Sequence, residues 1–260
     1  MFGPSWPLPI KKGGRNKPGQ RELILGKLPK KRADTVMNET LKLDIPFELN
    51  RAALLSLLHC TEDAELFQRA LSLYQETRAL FRPLYLAREF SVQRRLPQGA
   101  MIGGRLFSSR ILSAKLQDSQ RVLVYIASCG CAISQKCREA TDPLDHYLLD
   151  QLAYLAYLRA MEEMAREMEP LFGIKKYRLL CPGSIIDWSV ADVRLFFSLM
   201  DGLYQRAGLR CLDSGLIDPL KSTSGIVYET EEDFESCALC PRARCESRRL
   251  PFDPAQHEAM

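Results

Sequence analysis

In the segment LDSGLIDPLKSTSGIVY, residues 212–228, short apolar runs alternate with glycine, proline and serine. This pattern predicts short strands separated by turns. The segment follows a stretch of chain in which apolar residues recur at helical spacing, so strands and helices share one chain. The fold class therefore depends on how the two kinds of element are ordered.

Working outward from this segment, the chain contains further strand and helix patterns without strict strand–helix alternation. Strands are predicted in ETLKLDI (39–45), PLYLAREFSV (83–92), QRVLVYIASCG (120–130) and KKYRLLCPGS (175–184), with AMIGGRLFS (100–108) broken at its two glycines. Helices are predicted in residues 50–60, 61–81, 142–169 and 189–208, with Asn50, Thr61 and Asp142 as N-caps and a break near Gly202. This order predicts an α+β fold with mixed or antiparallel strands and several long helices.

The composition is that of a globular protein. The chain has 260 residues, of which 46% are hydrophobic and 26% charged, and no apolar run is long enough for a membrane helix. No secretory signal is recognisable, so we expect a reducing, cytoplasmic setting, in which the nine cysteines are core residues, metal ligands or redox groups.

Positive charge is concentrated in the first 36 residues. They hold nine Lys/Arg and two acids, a charge of +7, whereas the whole chain is +4 and the remainder is therefore −3. Residues 1–36 are predicted to be a disordered basic leader, residues 37–253 the folded domain, and residues 254–260 a tail. Met37 is an alternative start. A nucleic-acid-binding protein, built on the basic leader together with a zinc clamp, is a further alternative.

Motifs of several common enzyme classes are absent. The chain has no dinucleotide-binding glycine motif, no phosphate-binding P-loop, no zinc-protease motif and no nucleophile elbow. Three histidines are few for acid–base catalysis, and His146, His59 and His257 are each interpreted as surface or packing residues. Asp, Glu, Ser and Cys therefore remain as the residues that could carry chemistry.

Three stretches carry more specific motifs, namely CPGSIIDW (181–188), the opening segment and FESCALCPRARCESRR (234–249). Together they resemble the S-adenosylmethionine-binding activation domain of cobalamin-dependent methionine synthase, and more closely its free-standing form in anaerobes. Pro182-Gly183 match the Pro-Gly turn of the family pattern R-x-x-P-G-Y, with Ser184 in place of the tyrosine. Leu212–Ser214 stand for L-T-E-S, and Ser222–Gly225 stand for S-V-S-G. The resemblance covers roughly residues 39–253.

The resemblance implies a site for S-adenosylmethionine. The Pro-Gly turn would let the backbone approach the ligand, serine hydroxyls and a lysine would bind its carboxylate or ribose, and an acidic residue would pair with its ammonium. The family arginine would fall at Leu179, and the chain has Arg178 instead, which is expected on the opposite strand face. The candidate residues are Arg178, Pro182, Gly183, Ser184, Asp213, Ser214, Lys221, Ser222, Ser224, Gly225 and Glu235. Simple turns and a solvated lysine remain alternative interpretations.

A cysteine cluster forms a second candidate site. Cys237, Cys240 and Cys245 have the spacing C-x₂-C-x₄-C, and arginines follow within residues 237–249. Such spacing is typical of iron–sulfur and zinc sites, and the arginines would offset thiolate charge. Cys181 is the first candidate for a fourth ligand, followed by Cys129, Cys131 and Cys137. An iron–sulfur cluster, zinc and free thiols all remain open.

The resemblance implies a reactivation module for a corrinoid methyltransferase. Such a module would present S-adenosylmethionine to the cobalamin of a partner protein for reductive methylation of cobalt, with an electron donor and with an iron–sulfur cluster as a further option. The alternative is a non-catalytic docking module for a corrinoid protein that holds a structural metal. Whether the chain is itself an enzyme stays open, and neither membrane nor nucleic acid is the expected partner.

Overall fold

The computed structural model describes residues 38–233, 235–240, 242–243, 248 and 250–255. Within these ranges the strands are β1 (Glu39–Lys42), β2 (Leu84–Leu96), β3 (Gly99–Ile102), β4 (Arg105–Phe107), β5 (Arg121–Ser128), β6 (Tyr177–Leu180), β7 (Arg210–Cys211), β8 (Ile217–Asp218) and β9 (Ser222–Glu229). The helices are α1 (Arg51–Leu58), α2 (Glu65–Thr77), α3 (Arg110–Lys115), α4 (Cys131–Glu139), α5 (Pro143–Phe172), α6 (Val193–Leu199) and α7 (Leu203–Arg206). The predicted α+β class is confirmed. The predicted leader and the last five residues lie outside the described residues.

In the described part of the chain, seven strands form one antiparallel sheet with the order β4-β3-β2-β5-β9-β6, and β1 also pairs with β2. Strand β2 is long enough to pair with β1 along its first half and with β3 along its second half, beyond a register shift between Val92 and Arg94. Strands β7 and β8 form a separate small hairpin. The edge strand β6 carries the Pro-Gly turn at its end.

Both faces of the central sheet are covered, which is why β5 is apolar on every side chain from Val122 to Ala127. Helix α5 packs on one face against Tyr85, Tyr125 and Val227. The other face is covered by α3, α6 and the segment around Trp188, whose core continues into β2, β5 and β9. Side chains that alternate along β6 and β9 therefore enter two different cores.

Side chains cap the N-termini of α1, α3 and α5, whereas α2, α4 and α6 have no side-chain cap among the described residues. Asn50 caps α1 by accepting from the amide of Ala53 at 3.1 Å, and Asp142 caps α5. Thr61 was expected to cap the second helix, but this is wrong: α2 begins at Glu65, and the Thr61 hydroxyl instead donates to Asp63. No helix in the described ranges is long and apolar enough to cross a membrane.

A buried carboxylate joins β1 to α5. Glu163 is 2% exposed and lies within ion-pair distance of Lys42 at 2.8 Å, Arg159 at 2.7 Å and Arg166. Burial by itself raises the pKa of the Glu163 carboxyl, but the hydrogen bonds from Lys42 and Arg159 outweigh burial and hold the pKa below its usual value. The carboxylate therefore stays charged and ties the first strand to the longest helix.

Candidate functional site

The Pro-Gly turn follows directly from the sheet edge. After β6 ends at Leu180, Gly183 adopts a left-handed backbone with φ of 74° and donates its amide hydrogen to the carbonyl of Trp188 at 2.8 Å. Ser184 donates its amide and its hydroxyl to the carbonyl of Cys181, at 3.2 Å and 2.6 Å. These bonds close residues 183–188 into a compact loop, and the left-handed residue favours glycine.

A cavity of about 420 Å³ lies against this loop. Its walls are largely apolar and include one thiol and one guanidinium. Ile186 is 56% exposed at the cavity, whereas Trp188 is buried beneath it. The described residues that line the cavity are Gly183, Ser184, Ile185, Ile186, Trp188, Cys240 and Arg242. Of the residues expected from the sequence to bind ligand, Gly183 and Ser184 line this cavity, and Pro182 lies in the same turn.

Two side chains fix the loop from behind. The Asp187 carboxylate accepts hydrogen bonds from the Ser109 hydroxyl at 2.7 Å and from the amides of Arg110 at 2.6 Å and Ile111 at 3.1 Å. The indole nitrogen of Trp188 donates to Asp192 at 3.0 Å. Burial raises the pKa of Asp192, and the hydrogen bond from Trp188 opposes that shift. The cavity wall is therefore anchored to α3 and to the segment before α6.

The opposite wall is supplied by the C-terminal strap, defined as the described residues between 237 and 253. Arg248 closes the strap by donating to the backbone carbonyls of Cys237 at 3.2 Å, Cys240 at 3.1 Å and Leu250 at 3.2 Å, and also to the carbonyl of Arg242. Leu239 is fully buried in the same core as Trp188. The strap is thus packed against the Pro-Gly loop.

Three other predicted site residues lie on the sheet face that α5 covers. Lys221 forms a 2.7 Å ion pair with Asp150. Gly225 is enclosed, because a Cβ at that position would lie 2.5 Å from the Leu180 carbonyl oxygen and 2.9 Å from Sγ of Cys181. Cys181 Sγ is 3.2 Å from the Tyr125 hydroxyl. Burial is the main cause that raises the pKa of Tyr125, and the electrostatic interaction with Cys181 is the second. These residues do not line the cavity, and Gly225 serves close packing.

Arg178, Ser222 and Ser224 lie on the other sheet face. Arg178 points away from the face of Leu179, as predicted, and its guanidinium forms an ion pair with Asp233. The Ser222 hydroxyl donates to that of Ser128 at 2.8 Å. The hydroxyl of Ser224 is buried and has no hydrogen-bond partner among the described residues. None of the three lines the cavity.

The remaining predicted ligand residues lie on surface segments. Asp213 and Ser214 lie in the β7–β8 turn, where the Asp213 carbonyl accepts from Arg194 and the Ser214 hydroxyl accepts from the amide of Leu216 at 3.4 Å. Glu235 immediately precedes a short 3-10 helix, Ser236–Leu239. These positions do not join Gly183 and Ser184 in the cavity lining.

The described residues contain no group of three or more His, Cys, Asp or Glu that could hold a metal ion. Cys181, Cys237 and Cys240, which were expected to share a metal ion, are therefore not brought together. Cys181 packs against Tyr125 instead. Cys245 lies outside the described residues, so the C-x₂-C-x₄-C site stays a prediction. Burial raises the thiol pKa of Cys129 to about 12 and of Cys137 to about 11, which fits packing residues.

Apolar side chains are exposed beside the cavity. Val190 is 41% exposed and lies next to Gly183, whose added Cβ would be 3.5 Å from the Val190 Cβ. The β7–β8 turn approaches Val190 from the other side, since a Cβ at Gly215 would be 2.8 Å from the Val190 carbonyl oxygen. Leu216 in that turn is 50% exposed. With Ile186, these residues form an apolar rim around the Pro-Gly loop.

The fold is similar to that of a solved structure, the MetH reactivation domain bound to AdoHcy. The TM-score is 0.54 at 11% sequence identity, and the similarity covers 77% of this chain and 82% of that chain. No family model matches the chain, and no curated protein matches it. At this identity the similarity establishes a shared fold, and the fold implied by the sequence resemblance is confirmed.

Sequence reasoning missed the residues that build the cavity wall. The sequence predicts a core anchor at Trp188, which its burial confirms, and an N-cap region at Asp187, but the helix that Asp187 caps is α3, whose first residue lies 77 positions away in sequence. Ile185 and Ile186 carry no prediction beyond their place in the motif. Arg242 was expected only to balance thiolate charge. The P-G-S-x-x-D-W run was the available signal, but pairing it with the strap requires the tertiary structure.

Proposed function

We propose that this chain is a reactivation module for a corrinoid methyltransferase and that it binds S-adenosylmethionine at the Pro-Gly loop. The observation that carries the proposal is the cavity beside Gly183 and Ser184, in a fold shared with a reactivation domain that was crystallised with AdoHcy. The free-standing form of this domain, inferred from sequence, belongs to the same proposal.

The cavity chemistry suits an adenosyl ligand. Ile186 offers exposed apolar surface to a purine, and Ser184 offers a hydroxyl oxygen that can accept a hydrogen bond. The left-handed turn at Gly183 lets backbone atoms approach the ligand without a side chain between them. The loop is held by Asp187 and by the Trp188 carbonyl, so the surface that meets the ligand is preorganised.

The reaction proposed is reductive methylation. One electron and the methyl cation equivalent of S-adenosylmethionine convert cobalt(II) of the partner's corrinoid to methylcobalt(III), and S-adenosylhomocysteine is released. The chain's own contribution is to hold the methyl donor at an open surface, since no histidine, aspartate or glutamate is among the described residues that line the cavity. If Cys237, Cys240 and Cys245 held an iron–sulfur cluster, it would supply one-electron chemistry beside the cavity. The electron itself would come from a separate donor.

The apolar rim of Ile186, Val190 and Leu216 supports a docking role, because exposed apolar patches beside a cavity mark interaction surfaces. The proposed partner is a corrinoid protein. The rim is also the observation that favours the second candidate function, a non-catalytic docking module that carries a structural metal.

The deciding experiment measures cobalt methylation. The purified chain, a cobalt(II) corrinoid protein, a one-electron reductant and S-adenosylmethionine labelled in the methyl group are combined without oxygen. We expect the label to be transferred to cobalt. Transfer should be lost in Ser184→Tyr, which fills the cavity, and kept in the exposed control Arg206→Gln. Binding to the corrinoid protein without any methyl transfer would favour the docking module instead.

A further inference from the structure

Arg242 is the charged side chain among the described residues that line the cavity. The rest of that lining consists of two isoleucines, a tryptophan, a thiol, a hydroxyl and a glycine. A cavity with apolar walls and one cation has the character of a site for a ligand that carries an anionic group on an apolar or aromatic body. The ligand's anion would lie on the strap side, opposite the Pro-Gly loop.

The two other cations among the candidate ligand residues, Lys221 and Arg178, form ion pairs away from the cavity. Lys221 pairs with Asp150 of α5, and Arg178 pairs with Asp233. Neither lines the cavity. Leu179, where the sequence pattern would place an arginine, packs toward the α5 core. An anion in the cavity therefore has Arg242 as its cationic partner among these residues.

The strap holds the backbone of Arg242 in place. Arg248 donates to the carbonyl of Arg242 and, through the same guanidinium, to the carbonyl of Cys240 at 3.1 Å. The amide of Asp253 donates to the carbonyl of Ala238 at 2.8 Å, which closes the strap at its far end. The Arg242 side chain thus starts from a fixed backbone position at the cavity wall, which lowers the entropy lost when it binds an anion.

We propose that Arg242 binds the carboxylate of the amino-acid moiety of the ligand, and this inference rests on the proposed function. A guanidinium donates two parallel hydrogen bonds to a carboxylate, a geometry that a single ammonium cannot reproduce. Arg242 thereby makes the site select adenosyl ligands that carry the amino acid over those that lack it. It acts as a specificity residue contributed by the strap.

The test compares two ligands by calorimetry on the full chain. S-Adenosylhomocysteine carries the carboxylate, whereas 5′-deoxy-5′-methylthioadenosine keeps the adenosine and thioether and lacks the amino acid. Arg242→Gln is expected to weaken S-adenosylhomocysteine binding about 10- to 100-fold and to change methylthioadenosine binding less than about 2-fold, because one charge-assisted interaction is lost. Arg242→Lys should fall between wild type and Arg242→Gln for the first ligand only.

The control is Arg206→Gln, an exposed arginine at the end of α7, away from the cavity lining. It should bind both ligands as wild type does. Equal weakening of both ligands by Arg242→Gln, or no weakening of either, overturns the role of Arg242 while leaving adenosyl binding intact. A wild-type chain that binds neither ligand overturns the proposed function itself, so the two failures are distinguishable.

Discussion

The hydroxyl of Ser109 donates a 2.7 Å hydrogen bond to the carboxylate of Asp187, which links the start of α3 to the loop that lines the cavity. The same carboxylate accepts from the first two amides of α3, and Ser109 in turn caps the helix by accepting from the amide of Leu112 at 2.9 Å. The Asp187 side chain therefore serves both as a cap for α3 and as a support for the loop that lines the cavity.

Replacing Asp187 with alanine should lower the free energy of unfolding by about 2–3 kcal/mol, because a helix cap and charge-assisted hydrogen bonds are lost together. Asp187→Asn, which keeps one acceptor oxygen, should lose less. Urea unfolding measures both. Asp118→Ala, at an exposed position just after α3, is the matched control and should change stability by less than about 0.5 kcal/mol. Equal losses in Asp187→Ala and Asp118→Ala would contradict the capping role.

The buried hydroxyl of Ser224 gives a prediction with the opposite sign. Because this group has no partner among the described residues, its removal in Ser224→Ala should leave stability unchanged or raise it by about 1 kcal/mol. Ser222→Ala, which breaks the 2.8 Å bond to Ser128, should lower stability by about 1 kcal/mol. Thermal unfolding distinguishes the pair. Loss of S-adenosylhomocysteine binding in Ser224→Ala would instead show that the hydroxyl contacts the ligand.

Glu163→Gln should lower the free energy of unfolding at pH 7 by about 3–5 kcal/mol, because three cations would then surround a neutral amide. The exposed Glu162, on the same helix and 4.0 Å from Arg159, is the control, and Glu162→Gln should have an effect of less than about 1 kcal/mol.

The effect of Glu163 should also depend on pH. Its pKa in the folded chain lies below the ordinary value of 4.5, so its stabilisation is complete above that pH and is lost as the pH falls through the folded-state pKa. The difference between wild type and Glu163→Gln should therefore shrink in acid. A difference that stays constant from pH 7 to pH 3 would show that the carboxylate's charge is not the source of the stabilisation.

Ligand binding should protect Cys240 from alkylation, because its side chain lines the cavity. Cys131, which is exposed at the start of α4, provides an internal reference. Limited iodoacetamide treatment of the metal-free chain, followed by peptide mass spectrometry, should show slower modification of Cys240, and unchanged modification of Cys131, when S-adenosylhomocysteine is present. Equal protection of both thiols, or of neither, would argue against a ligand in this cavity.

Most of the fold could be predicted from local patterns. The strand from Arg121 to Ser128, the long helix opened by Asp142-Pro143 and the break at Gly202 each follow from short-range chemistry, and the structure confirms them. The prediction that Thr61 caps a helix was wrong, because the residues after it form a turn before α2 begins. A threonine followed by acidic residues is compatible with a turn and with a helix start.

The candidate site was harder to predict than the fold. Gly183 and Ser184 could be found because a Pro-Gly turn has a sequence signature, whereas the roles of Asp187 and Arg242 depend on contacts between distant segments. The sequence also does not show that Gly225 packs against Cys181 or that Lys221 forms an ion pair with Asp150. Strand alternation did predict the face of Arg178 correctly, because that property is local.

Calorimetric titration of S-adenosylhomocysteine into the wild-type chain tests the central claim most directly. The account predicts saturable one-site binding that is abolished by Ser184→Tyr, which fills the cavity beside the Pro-Gly loop, and unaffected by Arg206→Gln. No heat of binding, or binding that survives Ser184→Tyr unchanged, would contradict it.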